Sequence, residues 1–171
     1  MSIMGLDQSY TGTGIVVIQD GEITCRLVTT DVNSENPFDK FERARIIAND
    51  IVASAAYHDV KKIVIEGLAF AGTGNATRDL GGLQYIIIDS LIHAGYSRAD
   101  ICILPPNTLK KYATGNGKAK KIDMYESLPD NAKPMISQYL KTKGRYDITD
   151  AYFLAKYGEE HLNNDTTGNS T

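Results

Sequence analysis

Two short apolar runs of this sequence each end in a carboxylate, and this pattern constrains the fold more than any other feature. Asp7 follows Ile3-Met4-Gly5-Leu6, and Glu66 follows Ile63-Val64-Ile65. Such runs are typical of buried strands. A charge at the end of a buried strand needs compensation. We therefore expect the two acids at one edge of a sheet, with a cation between them.

A second acidic pair lies late in the sequence. Asp147 and Asp150 are three residues apart at the start of a predicted helix over 147–157, so they share one helical face. Taken singly, Asp7 is equally well explained as a turn-capping residue. Asp147 is better explained as a helix N-cap or an acid in the first turn of a helix than as a ligand. Taken together, four carboxylates favour hard divalent ions, two of which can stabilise the attacking and the leaving oxygen of a phosphodiester. Metal-dependent phosphoryl transfer is the first hypothesis.

Composition limits the class of protein. The 171 residues are 42% hydrophobic and 23% charged, as in an ordinary globular domain. We predict a single domain over residues 1–158 and a polar, disordered tail over 159–171. With no apolar run of membrane-spanning length and no signal-peptide pattern, we expect a cytoplasmic location. Cys25 and Cys102 are isolated and no histidines are paired at ligand spacing, which argues against a zinc site.

The order of predicted elements indicates an α/β fold. Apolar periodicity predicts strands at 3–7, 12–18, 22–30, 62–66 and 101–104, and helices at 38–57, 76–94, 107–113, 119–128 and 147–157. Asp20-Gly21 is a hairpin signal, which makes the first three strands an antiparallel meander. The first two helices are long enough to return the chain for parallel pairing. We predict a five-stranded mixed sheet, with three antiparallel and two parallel strands, flanked by helices.

Four segments carry a resemblance to a known family. They are 3–9 with 11–14, 65–70, 105–121 and 147–151. The third is the most specific, with two prolines, Thr108-Leu109-Lys110-Lys111, a pair of glycines and further lysines. In this order and at these separations the segments resemble the RuvC family of Holliday junction resolvases, in particular its phage branch, within the ribonuclease H-like fold.

The resemblance implies a two-metal active site. Asp7 is expected to bridge two Mg²⁺ ions, with Glu66 and Asp150 on one of them. Asp147 is expected to support the other ion, and the division between the last two acids stays open. Lys121 is expected to hold the scissile or the adjacent phosphate, and Mn²⁺ to substitute for Mg²⁺. Hydrolysis at such a site leaves a 5′-phosphate and a 3′-hydroxyl.

A basic segment accompanies the acids. From Asn107 to Arg145 there are nine basic and three acidic residues, a balance of +6, whereas the whole chain carries −3. This segregation suits a polyanion held beside a metal site, although the same lysines also suit a solvated helical face. Phe70 is expected either to wedge against unstacked bases or to pack under its own loop. The residues expected to contact DNA are Phe70, Arg78, Lys110, Lys111, Lys118, Lys120 and Lys121.

The resemblance also implies an assembly and a substrate. A four-way junction is nearly two-fold symmetric, so paired cuts suit a C2 homodimer. The family's dimer helix corresponds to helix 76–94, although periodicity alone assigns its apolar face to the core. That face comprises Leu80, Leu83, Ile87, Leu91 and Ala94. The implied function is resolution of Holliday junctions in the cytoplasm of a bacterial host.

Three alternatives remain. A debranching nuclease for Y-junctions and forks would carry the same residues. The motif Asp7-x-Ser9-x-Thr11-Gly12 is also similar to the phosphate-binding hairpin of the sugar-kinase and actin ATPase superfamily, but a second hairpin and the length for two lobes are missing. A non-catalytic junction-binding module would be expected to lack one of the carboxylates, and all four are present.

Overall fold

A five-stranded sheet with helices on both faces organises the chain. The computed structural model describes residues 1–30, 36–68, 75–139 and 144–162. Its strands are β1 (Ser2–Asp7), β2 (Thr13–Gln19), β3 (Glu22–Val28), β4 (Lys62–Glu66) and β5 (Ile101–Leu104). Its helices are α1 (Pro37–Tyr57), α2 (Asn75–His93), α3 (Pro106–Thr114), α4 (Lys121–Glu126), α5 (Lys133–Ser137) and α6 (Gly144–His161), with a 3₁₀ turn over Arg98–Asp100.

The strand order is β3-β2-β1-β4-β5, which confirms the predicted mixed sheet. β1, β2 and β3 pair antiparallel, whereas β4 pairs parallel with both β1 and β5. Asp20 and Gly21 both have positive φ, 51° and 85°, as a type I′ hairpin turn requires. The parallel pairing of β1 with β4 brings Asp7 and Glu66 to one edge of the sheet.

Helices α1 and α2 cover one face of the sheet. Asn36 caps α1 by accepting a hydrogen bond from the Phe38 N–H, and Pro37 occupies the first turn. Contrary to the predicted dimer contact, the apolar face of α2 lies in the core of this chain, because Leu83, Ile87 and Leu91 are fully buried. Leu80 packs against the same cluster, whereas Ala94 is exposed. None of the helices in the described ranges combines the length and apolar composition that crossing a membrane requires.

Helix α6 covers the other face together with α3, α4 and α5. It lies so close to β1 and β2 that a Cβ at Gly5 would come 2.0 Å from the Ala151 carbonyl oxygen, and one at Gly14 2.2 Å from the Asp147 carbonyl oxygen. These distances are shorter than any ordinary contact. Glycine at both positions is therefore what allows α6 to lie directly on the strands.

Several element ends differ from prediction. Strands 62–66 and 101–104 are confirmed without change, whereas α4 is shorter than predicted and α5 was not predicted. Helix α6 begins at Gly144 and continues to His161, so the first three residues of the predicted tail are helical. An ion pair of 2.6 Å between Lys156 and Glu159, and packing of Leu162 against the core, extend this helix. Residues 163–171 lie outside the described residues.

Candidate active site

The carboxylates of Asp7 and Glu66 meet at the ends of two neighbouring parallel strands. Leu6 is paired with Ile65, so the next residues, Asp7 and Glu66, lie side by side as the last residues of β1 and β4. Asp7 is buried and Glu66 is half-buried. Burial raises the pKa of both carboxyl groups, so the pair favours retaining a proton when no cation is bound.

The third and fourth acids come from α6. Asp147 and Asp150 occupy its first turns, and the close contact at Gly14 sets these turns against the start of β2. A Cβ at Gly12 would lie 3.1 Å from an Asp147 carboxylate oxygen. The side chain of Asp150 is 7% exposed and that of Asp147 is 16% exposed. All four acids predicted from the sequence therefore face one region.

Three of these carboxylates are close enough to bind one ion. One oxygen each from Asp7, Glu66 and Asp150 lies within 4.8 Å of the other two. Oδ1 of Asp150 is buried and has no hydrogen-bond partner among the described residues. A buried, unpaired carboxylate oxygen within an all-oxygen donor set fits a hard divalent cation. Asp147 lies outside this group of three.

The electrostatics agree with a site built for a cation. Burial raises the pKa of Asp7 well above its usual range, and repulsion from Glu66 and Asp150 raises it further. Burial, followed by repulsion from Glu66, raises the pKa of Asp150 to about 7. Burial also raises the pKa of Glu66, partly offset by its hydrogen bond with Asp7. Bound metal would relieve this repulsion and displace the protons.

Lys121 connects the acidic cluster to the basic segment. Its ammonium nitrogen lies 3.6 Å from Asp147 and 3.7 Å from Asp150, while its side chain is 53% exposed. Burial alone would lower the pKa of Lys121, but attraction to Asp150 and Asp7 raises it. The first residue of α4 thus places a cation beside the carboxylates and leaves it accessible to an anion from solvent.

Comparison with known proteins agrees with this geometry. A family model of the crossover junction endodeoxyribonuclease RuvC matches residues 3–154. The chain belongs to the RuvC family. It is therefore an endonuclease of crossover junctions, and its five-stranded fold is the ribonuclease H-like fold of that family. No curated protein sequence matches it.

Solved structures of RuvC and of a related resolvase share the fold. RuvC of T. thermophilus in complex with a Holliday junction substrate matches with a TM-score of 0.66 and 15% identity, over 95% of this chain and 97% of that one. A second structure of Thermus thermophilus RuvC matches with a TM-score of 0.59 and 18% identity, over 94% of this chain and 96% of that one. The yeast mitochondrial Holliday junction resolvase Ydc2 matches with a TM-score of 0.59 and 12% identity, over 94% of this chain and 81% of that one.

The remaining DNA-contact candidates of this RuvC-family chain are spread over a wider surface. Lys111, Lys118 and Lys120 are exposed on or after α3. Lys110 is half-buried, and its charge lowers the pKa of both Glu66 and Asp150, which places it near the carboxylates. Arg78 on α2 is 75% exposed and lies 3.7 Å from Asp79. Phe70 lies outside the described residues.

Sequence reasoning missed several residues that shape the RuvC site. Gln8 and Gln84 both donate hydrogen bonds to the main-chain carbonyl of Glu66. The Arg145 guanidinium lies 5.8 Å from the ring centre of Tyr125 and so joins the start of α6 to α4. An amide in an apolar helix and an arginine in a lysine-rich segment carry no distinctive pattern. Of these three residues, only Gln8 could have been linked to the site from the sequence, because it directly follows Asp7.

Proposed function

We propose that this chain resolves Holliday junctions by metal-dependent hydrolysis, making paired nicks that leave 5′-phosphate and 3′-hydroxyl ends. The observation that carries the proposal is the convergence of Asp7, Glu66 and Asp150, with ligand atoms within 4.8 Å, in a chain of the RuvC family. Carboxylate donors favour Mg²⁺, and Mn²⁺ suits the same set of ligands.

Each residue of the site has a proposed role. Asp7, Glu66 and Asp150 hold the divalent ions, with Asp147 as a further ligand from the same helix as Asp150. Bound divalent ions supply Lewis-acid stabilisation of the phosphoryl oxygens and a more acidic water. Lys121 donates a hydrogen bond to a phosphate oxygen, where its charge offsets the charge that develops in the transition state.

The DNA path follows the exposed cations. Lys111, Lys118 and Lys120 hold the phosphate backbone of one junction arm, and Lys110 holds a phosphate closer to the cut. Arg78 contacts the backbone on the α2 side. Phe70 is proposed to wedge against bases at the crossover.

A homodimer would supply two such sites for the two strands to be cut. Because the apolar face of α2 is buried in this chain, the dimer contact is proposed on the exposed face of the same helix, where Tyr85 is 74% and Ile92 is 54% exposed. The resemblance to the phage branch supports action in the cytoplasm of a bacterial host. A second substrate, the Y-junction, remains the alternative because nothing in the acidic site depends on the number of arms.

The proposal is tested by cleavage of a labelled four-way junction, next to Y-branched and linear duplex DNA, in Mg²⁺, Mn²⁺ and EDTA. Asp7→Asn is the inactive variant, and Asp130→Asn, a change at a fully exposed side chain, is its control. We expect paired nicks near the crossover that need metal, a loss of at least about a hundredfold in Asp7→Asn, and normal cleavage in Asp130→Asn.

The controls distinguish the alternatives. Cleavage of the Y-branch at the same rate would broaden the function to debranching. Binding of the junction without cleavage under any metal condition would refute the catalytic proposal and leave a junction-binding protein.

A further inference from the structure

Two buried glutamine side chains converge on one main-chain oxygen in the active site. Gln8 Nε2 lies 3.3 Å and Gln84 Nε2 lies 3.2 Å from the carbonyl oxygen of Glu66. Gln8 follows β1 and Gln84 lies in the middle of α2, so the two donors come from different parts of the fold. They are only 6% and 7% exposed. A carbonyl oxygen has two lone pairs, and both are used here by amides.

The peptide that follows Glu66 is held from its other side as well. The N–H of Gly67 donates to the carbonyl oxygen of Leu104 on β5, at 2.8 Å. One amide plane at the end of β4 thus takes part in three hydrogen bonds: it accepts from Gln8 and Gln84 and donates to Leu104. Together with the pairing of Glu66 in β4, a fixed plane restrains the ψ angle of Glu66 and so the direction in which its side chain departs.

Satisfying one buried carbonyl does not require two buried amides. A buried polar group is costly unless it is fully hydrogen-bonded, and Gln8 Oε1 is buried without a donor among the described residues. Turning the Gln8 amide over would place this oxygen against the Glu66 carbonyl oxygen, so its only favourable orientation is the one observed. Gln84 likewise interrupts a buried helical face formed by Leu83 and Ile87. Both glutamines are therefore unfavourable to bury, and both bind the carbonyl of Glu66, the residue that ends β4 in the acidic cluster.

We propose that Gln8 and Gln84 are positioning residues that aim the Glu66 carboxylate at the ion shared with Asp7 and Asp150. The inference rests on the proposed function, since it assumes that this cluster binds a divalent ion. Through Gln84, helix α2 takes part in setting the metal site although it contributes no ligand. Outer residues that orient a metal ligand commonly change metal affinity by about ten- to a hundredfold when they are replaced.

The test measures metal binding without DNA or cleavage. The thermal unfolding temperature of the intact chain is recorded against Mn²⁺ concentration. The readout is the dissociation constant fitted to the logarithmic rise, which is the concentration at which half of the native chains hold the ion (the Mn²⁺ midpoint). The variants are Gln84→Met and Gln8→Met, each of which keeps the side-chain length and removes the donor. Gln138→Met is the control, because Gln138 also donates to a main-chain carbonyl, at 2.7 Å, but is exposed and lies on no catalytic element.

We expect the Mn²⁺ midpoint to rise roughly tenfold or more in Gln84→Met and in Gln8→Met, and to stay unchanged in Gln138→Met. In a Glu66→Gln background, replacing Gln84 should add nothing further, since its effect passes through Glu66. Lower stability in the absence of metal does not affect the comparison, because each variant serves as its own metal-free reference. Gln84→Asn, which keeps a shorter amide, substitutes if Gln84→Met does not fold.

Two results would overturn the inference. One is an unchanged midpoint in both methionine variants while the wild type is stabilised by Mn²⁺. The other is an increase of the same size in the Glu66→Gln background, which would mean that Gln84 acts by another route. Absence of any Mn²⁺ effect in the wild type would instead remove the proposed metal site, and the inference with it.

Discussion

The acidic and the basic halves of the active site are built in opposite ways. Asp7 and Asp150 are buried on β1 and α6, which pack against each other through glycine. The lysines lie on α3, on α4 and in the turn between these helices, and most are exposed. The packing of the core decides where each acid lies, whereas it does not hold the side chains of the exposed lysines.

The two halves also differ in how they balance charge. Burial, and then repulsion between the acids, raises the pKa of Asp7 and of Asp150, so the metal-free protein favours retaining protons there. Most of the lysines of the basic half are exposed to water. Lys121 joins the two halves, because its ammonium nitrogen makes ion pairs with Asp147 and Asp150, at 3.6 and 3.7 Å. The acidic half is therefore sensitive to packing and metal, and the basic half to salt.

The largest effect is expected where packing positions the acids. Gly5→Ala would put a methyl group 2.0 Å from the Ala151 carbonyl oxygen, so α6 must move away from β1. We expect a loss of about 3 kcal/mol or more in the free energy of unfolding, measured by urea denaturation. Gly82→Ala is the control: a Cβ there meets nothing within 4 Å, and alanine should stabilise α2 by up to about 1 kcal/mol. Equal stability of the two variants would contradict close packing of α6.

The next effect concerns the residue that links the halves. Lys121→Ala should lower the single-turnover cleavage rate by about a hundredfold, because a cation beside the developing charge is lost. Affinity for the junction should change little, since many other cations remain. Lys118→Ala, at an exposed lysine three residues earlier, should leave the rate almost unchanged. If both variants lose only affinity, Lys121 belongs to the DNA-binding surface and not to the chemistry.

A smaller effect is expected in the pH dependence of stability, which the buried acids should dominate. Because the pKa of Asp150 is raised from 3.8 to about 7, the native protein binds more protons than the unfolded chain between these values. Without metal, the free energy of unfolding should therefore fall as pH rises from about 4 to about 7. Saturating Mg²⁺ should flatten this slope, and Asp150→Asn should reduce it. Urea denaturation across this pH range measures the slope, and a metal-free slope of opposite sign would contradict the buried-acid arrangement.

The smallest effect is expected from a single exposed lysine. Lys111→Gln should weaken junction binding a few-fold at moderate salt and reduce the slope of log affinity against log salt by about 1. Fluorescence anisotropy at several salt concentrations, in EDTA, measures both quantities. The cleavage rate at saturating protein should stay the same. A change in that rate would place Lys111 near the reacting phosphate.

The acidic half was largely predictable from sequence, for a physical reason. An acid at the end of a short apolar run can be recognised locally, and parallel pairing then brings Asp7 and Glu66 together. Strand 62–66 was predicted without error for the same reason. The apolar stripe of α2 was informative about burial but not about its partner, since the same periodicity suits a core and a dimer contact.

What escaped prediction depends on distant contacts. Gln84 matters because a carbonyl eighteen positions away lies beside it, and no local pattern reveals this distance. The extension of α6 to His161 depends on Leu162 reaching the core. The return of the chain after β5 brings the charge of Lys110 close to Glu66. Local chemistry identified the residues, and long-range packing decided their neighbours.

The close packing of α6 on β1 has a consequence for biosynthesis. These are the first and the last regular elements in the described chain, and each supplies part of the ion-binding group. A nascent chain that has not yet produced residues 144–161 holds Asp7 and Glu66 but lacks Asp147 and Asp150. Products of termination before α6 therefore lack half of the acidic site, and we expect nuclease activity only from chains whose synthesis has passed α6.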